Sequence, residues 1–418
     1  MSSNVRPLAH MPYFEQLSSL TDDSAEWRSV SAAMVVLRLF DSWMQGGADV
    51  VGQEAPGLQA VRNQIAAMDV RDSNRRLLGS IVDSMVTAQA PRIVTVAPRL
   101  MAYGRALQHA ASWPLAADVY RTVLAYATPV DDPETVIAAN MQLGRCLRVL
   151  AEWEEALGCF SAASQVAGLA GDVMSILRAR IQEANVAIDR GNLPYAETLL
   201  DDTILQAKES GLSEIRATAI HDRAHLAARR GRPEEAVVFG YEALKSVRNQ
   251  IARDRVLNDL GATFSLLGIY SAARDAYLVV AATAQEQYTR WTAMINLLDL
   301  AADERREPVF EQYRRELEDV SLPPTLATYY YYFVANGHRV FDRPLLAKAA
   351  IERAIELATE NKLGQWLVKS EQLLEELRTS EAVQRRNVAR EMTTSWAPEV
   401  LDIANRLSEL RTMAGVAG

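Results

Sequence analysis

Cysteine is nearly missing from this chain, with two in 418 residues, Cys146 and Cys159. That excludes a disulfide framework and fits buried small side chains in a reducing compartment. Proline is sparse at 15 and aromatic residues make up 7%. Basic charge is outnumbered, 44 Lys and Arg against 53 Asp and Glu, for a net charge of −9. A chain of pI about 5.3 is a poor match for a nucleic-acid backbone or an anionic membrane, so neither is expected as a partner. No apolar run approaches the ~18–20 residues of a membrane span. The start, MSSNVRPLAHMPYFEQ, lacks the apolar core of a secretory signal, which makes a cytoplasmic location the expectation. No phosphate-cradling glycine loop, Ser/His/Asp constellation or four-ligand metal spacing occurs, so no catalytic residue, cofactor or metal is expected.

What the chain has is a column of alanines, Ala116, Ala156, Ala196 and Ala236, returning every 40 positions, with Ala273 after a further 37. Four places after each stands Tyr120, Phe160, Leu200, Gly240 or Tyr277, all large except Gly240. Twelve places before each stands another small residue: Gly104, Gly144, Ala184, Ala224 or Gly261. A fixed period of this length means stacked units, each too small to bury its own apolar face. Each unit reads as two helices. In the best one, Ile137, Met141, Leu143 and Leu147, then Ala156, Phe160 and Ala163, fall at helical spacing. Turns are expected around Gly191, Gly231 and Gly268, where glycine takes the left-handed conformation that ends a helix. The small columns let two helix backbones approach.

LGRCLRVLAEWEEALGCFSAA, with Leu143, Gly144, Trp153, Ala156, Phe160 and Ala163, resembles the tetratricopeptide repeat. Tyr103, Gly104, Trp113, Ala116 and Tyr120 match nearly as well, as do Leu260, Gly261, Tyr270, Ala273 and Tyr277. Two repeats are looser, with Glu183 and Arg223 where a large apolar residue is usual. The family's common period is about 34, so forty implies longer helices, as in repeat arrays of bacterial signalling proteins. The resemblance implies an all-α, right-handed superhelical solenoid of antiparallel helix pairs over residues 96–360. Residues 1–95 then form an N-terminal helical cap and 361–418 C-terminal capping helices. Past Ala302 the period blurs, and 288–318 and 325–360 read as two further pairs.

The ends carry two other readings. LAHMPYFEQ…SAEWRSVSAAMVV resembles the opening of papain-like bacterial cysteine peptidases, with Gln16 and Trp27 matching. Glu26 stands where the nucleophilic cysteine belongs, so the resemblance implies an inactive remnant; the alternative is a helical cap. Helices are expected at 25–45 and 72–88. At the other end Val383, Val388, Met392, Trp396, Val400, Ile403, Leu407 and Leu410 form an apolar stripe. It reads as a cap on the last repeat, with a partner or a second copy of the chain as the other occupant.

In a stack of helix pairs the first helix of each pair lines the concave face. Residues one place after the small column point there: Arg105, Arg145, Asn185 and His225. One turn on come His109, Val149, Asp189 and Arg229, with Arg148 beside them. Arg105, His109, Arg145, Arg148, Asn185, His225 and Arg229 are therefore the candidate ligand-binding residues. Arginines fork onto carboxylates in two parallel hydrogen bonds, so the expected partner is a protein or peptide with an acidic segment. The lysine and asparagine carboxylate clamp known in the family is not reproduced. His221 and His225 stand one turn apart, as in zinc peptidases, but Asp222 replaces the glutamate and no third ligand is identifiable. Tyr329 to Tyr332 point all round a helix, so one or two pack and the rest are exposed. The reading that results is a non-enzymatic binding scaffold. The runner-up is a bacterial peptide-sensing regulator of the pheromone-receptor type, without a helix-turn-helix of its own.

Overall fold

The computed structural model describes residues 10–417 apart from 53–54, 111, 321, 362 and 380–395. The chain is all-α, with no strand among the described residues. It divides into two units, residues 1–186 and 187–418. In the first unit, α1 (Met11–Ser19), α2 (Ala25–Gly46), α3 (Pro56–Ala67) and α4 (Ser73–Thr87) precede the repeats. The pairs α5 (Ile93–His109) with α6 (Trp113–Tyr126) and α7 (Pro133–Val149) with α8 (Trp153–Ala170) follow. The division falls within α9 (Val173–Asp189).

The second unit holds α10 (Leu193–Glu209), then α11 (Ser213–Arg229) with α12 (Pro233–Ser246) and α13 (Gln250–Leu266) with α14 (Tyr270–Thr283). Next are α15 (Gln287–Asp303) with α16 (Glu307–Glu318) and α17 (Pro324–Val340) with α18 (Pro344–Glu360). Then come α19 (Gly364–Thr379) and α20 (Pro398–Met413). No helix among the described residues is long and apolar enough to cross a membrane.

One turn recurs. At Ala151, Gly191, Gly231, Gly268, Arg305 and Asp342 the backbone is left-handed, with φ of 61, 81, 72, 75, 56 and 57°. Each of these residues donates its N–H three residues back, as Gly231 does to Ala228, and the next donates five back, as Arg232 does to Ala227. This closure satisfies the last carbonyls of the first helix and turns the chain. The turns step by 40, 40, 37, 37 and 37 residues. The period past Ala302 thus does not blur: it shortens and stays regular, with arginine and aspartate in place of the glycine that marks it in sequence.

The alanine column is buried, with Ala116, Ala156, Ala196 and Ala273 at 0% exposure and Ala236 at 1%. The glycines have a more specific cause than backbone approach. A Cβ on Gly104 would lie 2.6 Å from Cε1 of Tyr120, and one on Gly261 2.6 Å from Cε1 of Tyr277. The second helix of a pair thus seats a ring against a glycine of the first. Tyr120 Oη donates to Gln108 Oε1 on α5 (3.1 Å), and the Gln108 amide reaches Cys146 Sγ on α7 (3.2 Å). The ring fills the space between the first helices of successive pairs. The looser repeat around Ala224 buries Arg223 at 5% exposure among Glu197, Asp201 and Glu235, its guanidinium 4.9 Å over the Phe239 ring. Ion pairing replaces apolar contact there.

At the N-terminal end, α1 and α3 join the two helices expected there. His10 ties α1 down: Nδ1 lies 2.7 Å from Asp118 Oδ2 on α6 and Nε2 3.2 Å from Asp41 Oδ2 on α2. Of the C-terminal stripe, Val383, Val388 and Met392 lie outside the described residues. Val400, Ile403 and Leu407 are buried where α20 packs on α12 and α14, and Arg411 pairs with Asp275 at 3.1 Å. Of the four tyrosines Tyr330 is buried and the others are half-buried, none exposed. Tyr329 and Tyr332 close on Trp366 of α19 with ring centroids 5.0 and 5.6 Å apart.

Candidate functional site

In the repeat of α11 and α12 the large side chain four places after the alanine is missing. Position 240, where sister repeats carry Tyr120, Phe160, Leu200 and Tyr277, is glycine, and an open cavity of about 280 Å³ lies there. Ala224 and Gly240, the two members of the seat, both line it, with Ala236, Val256 and Leu260 completing the apolar interior. Leu260 leans in from α13, close enough that a Cβ on Gly240 would lie 2.9 Å from its Cδ2. It fills only part of the space. The mouth opens between α11 and α13 past exposed His225, Arg229, Ala262 and Leu266.

One wall is polar. His221 Nε2 meets Asp259 Oδ2 at 2.9 Å across the gap between α11 and α13. Burial opposes charge on His221, yet the hydrogen bond and the Asp259 carboxylate outweigh it and raise its pKa above the ordinary 6.5. Burial also opposes charge on Asp259, but the same hydrogen bond and the imidazole charges hold it below the usual carboxylate value. Each partner stabilises the ionised form of the other. Thr263 donates its hydroxyl to the Asp259 carbonyl (2.9 Å) and lines the wall one turn on. The His221 and His225 spacing therefore serves an ion pair and a rim. Among the described residues no cluster of three potential metal ligands occurs.

Of the seven sequence-derived site residues, the cavity brings together His225 and Arg229 on successive turns of α11. The other five lie in the first unit: Arg105 and His109 on α5, Arg145 and Arg148 on α7, Asn185 on α9. Arg105, His109 and Arg145 are exposed, Arg148 and Asn185 half-buried. Arg105 and Arg145 each follow the glycine that receives a ring, about 100° further round their helix, which turns them away from the second helix. Sequence reasoning missed Asp259, Thr263 and the cavity itself. The available signal was Gly240, the one small residue in a column of large ones.

The N-terminal peptidase-like stretch has a different arrangement. Glu26 is exposed at the start of α2, and Gln16 donates its amide to Glu26 Oε1 at 3.1 Å. Both cysteines lie in the repeats, Cys146 buried and Cys159 half-buried, and burial pushes each thiol up to about 11. At neutral pH they are protonated.

No family model matches the chain, and no curated protein matches it. Among solved structures, it is similar to a Rap protein complexed with competence and sporulation factor, at 15% identity and TM-score 0.47, covering 85% of this chain and all of that one. It is similar to the Rap conjugation gene regulator of plasmid pLS20 in complex with the Phr* peptide, at 12% identity and TM-score 0.49, covering 78% and 97%. NprR in complex with its cognate peptide NprX gives 13% identity and TM-score 0.42, covering 85% and 97%.

Proposed function

We propose that the chain is a non-enzymatic peptide- or protein-binding module that receives an extended segment on the exposed faces of the first helices of its repeats. The observation that carries this is the open cavity between α11 and α13, with His225 and Arg229 at its mouth. A cavity that admits one side chain suits an extended segment better than a folded surface. The cationic rim favours an acidic neighbour in that segment, since a forked guanidinium pairs with carboxylates. In the first unit Arg105, His109, Arg145, Arg148 and Asn185 are proposed as contacts of the same kind.

The test is binding of nonapeptide pools, one acidic and one basic in their flanks, to the whole chain. The acidic pool should bind more tightly and lose affinity as salt rises, because screening acts on exposed charges. Charge-assisted hydrogen bonds are worth ~1.5–3 kcal/mol, so Arg229→Ala should weaken binding at the cavity about tenfold or more, and Arg145→Ala should do the same for an acidic segment held in the first unit. Val149→Ala, at a neutral exposed site, should change little. Binding indifferent to salt and to both arginines would remove the proposal's basis.

A further inference from the structure

We infer that the cavity at Gly240 is a receptor for one aromatic side chain supplied by the bound peptide, which takes the place its own repeat leaves vacant. The inference rests on the peptide-binding reading and names the residue that reading requires. The positions equivalent to Gly240 hold Tyr120, Phe160, Tyr277 and, in one repeat, Leu200, and each of the three rings lies against the glycine sixteen places earlier. In those repeats the ring comes from the second helix and covers the glycine of the first, and Tyr120 also reaches the next first helix through Gln108. Here α12 contributes a hydrogen atom instead, and the cavity stays open on the first-helix face.

The dimensions agree. An apolar cavity of about 150 Å³ holds a benzene ring, and this one, at about 280 Å³, leaves room for a ring and its linking carbon. The interior surfaces that would sandwich the ring are Ala224, Ala236, Val256 and Leu260, all buried. The His221–Asp259 pair forms one side wall, and its imidazole edge suits a T-shaped contact with an entering ring. An aromatic side chain brings a large buried area with few rotors to freeze, which favours it over a long aliphatic one at an open site.

The experiment uses the whole chain and nonapeptide pools with acidic, randomised flanks and a fixed centre: Phe, Tyr, Trp, Leu, Asp or Ala. Bound fractions are read by mass spectrometry. The Phe, Tyr and Trp pools should bind at least tenfold more tightly than the Ala pool, with Leu between. Gly240→Leu fills the seat from inside, pushing against Leu260, and should abolish that preference. Ala262→Trp, at an exposed position of the mouth, blocks entry without touching the core and should also abolish it. Equal binding of all centres overturns the inference, as does a Leu pool equal to the aromatic ones or a preference surviving in both variants; the peptide-binding reading then still stands. Binding by no pool at all overturns that reading and the inference with it.

Discussion

A Cβ placed on Gly144 would lie 2.5 Å from Cε1 of Phe160, nearer than real Cβ contacts come. The glycine and the ring form one packing unit, and Phe160 is fully buried by it. Gly144→Ala should therefore cost ~1–3 kcal/mol through overpacking, despite alanine's better helix propensity. The cost should fall in the double variant Gly144→Ala, Phe160→Leu, which copies the alanine and leucine that the sequence carries at 184 and 200. A double-mutant cycle on urea midpoints checks this. Additive costs would mean that the two residues are not coupled.

The turns yield a second expectation. Ala151 occupies the left-handed position that Gly191, Gly231 and Gly268 fill elsewhere. A side chain there costs ~1–2 kcal/mol, partly offset by the greater freedom glycine has when unfolded. Ala151→Gly should raise stability by up to about 1 kcal/mol, and Gly231→Ala should lower it by about as much or more. Denaturant midpoints of the two variants should move in opposite directions.

The tether at His10 is pH-dependent. Burial opposes its charge, but hydrogen bonds to Asp118 and Asp41 and their negative charges prevail, so its pKa rises from 6.5 to about 9. A folded value above the unfolded one means stabilisation fully present below pH 6.5 and lost as pH climbs through about 9. The difference in urea midpoint between the native chain and His10→Gln should be largest near pH 6 and shrink towards pH 10. A difference constant over that range would show that the imidazolium contributes nothing.

The helix pairs were legible because the repeat writes packing into the sequence at fixed intervals. The glycine column, the alanine column and the ring four places on each have one structural cause. The later turns were harder to see, since Arg305 and Asp342 adopt a conformation that glycine usually advertises. Arg223 was equally opaque: its fit depends on Glu197, Asp201 and Glu235, brought together by three helices. The spacing marked His225 and Arg229, but the cavity beside them is a missing side chain and the residues around its absence. Asp259 joins it through α13, far from α11 in sequence, and no local pattern announces that pairing.

The five histidines, His10, His109, His221, His225 and His338, allow the most direct test of where a ligand sits. Their imidazole resonances can be followed by nuclear magnetic resonance while an acidic, phenylalanine-centred nonapeptide pool is added to the whole chain. His221 and His225 line the cavity, whereas His10 and His338 are buried elsewhere. Binding between α11 and α13 should move His221 and His225 and leave His10 and His338 in place. Saturation with peptide while His221 and His225 stay unmoved would contradict the account.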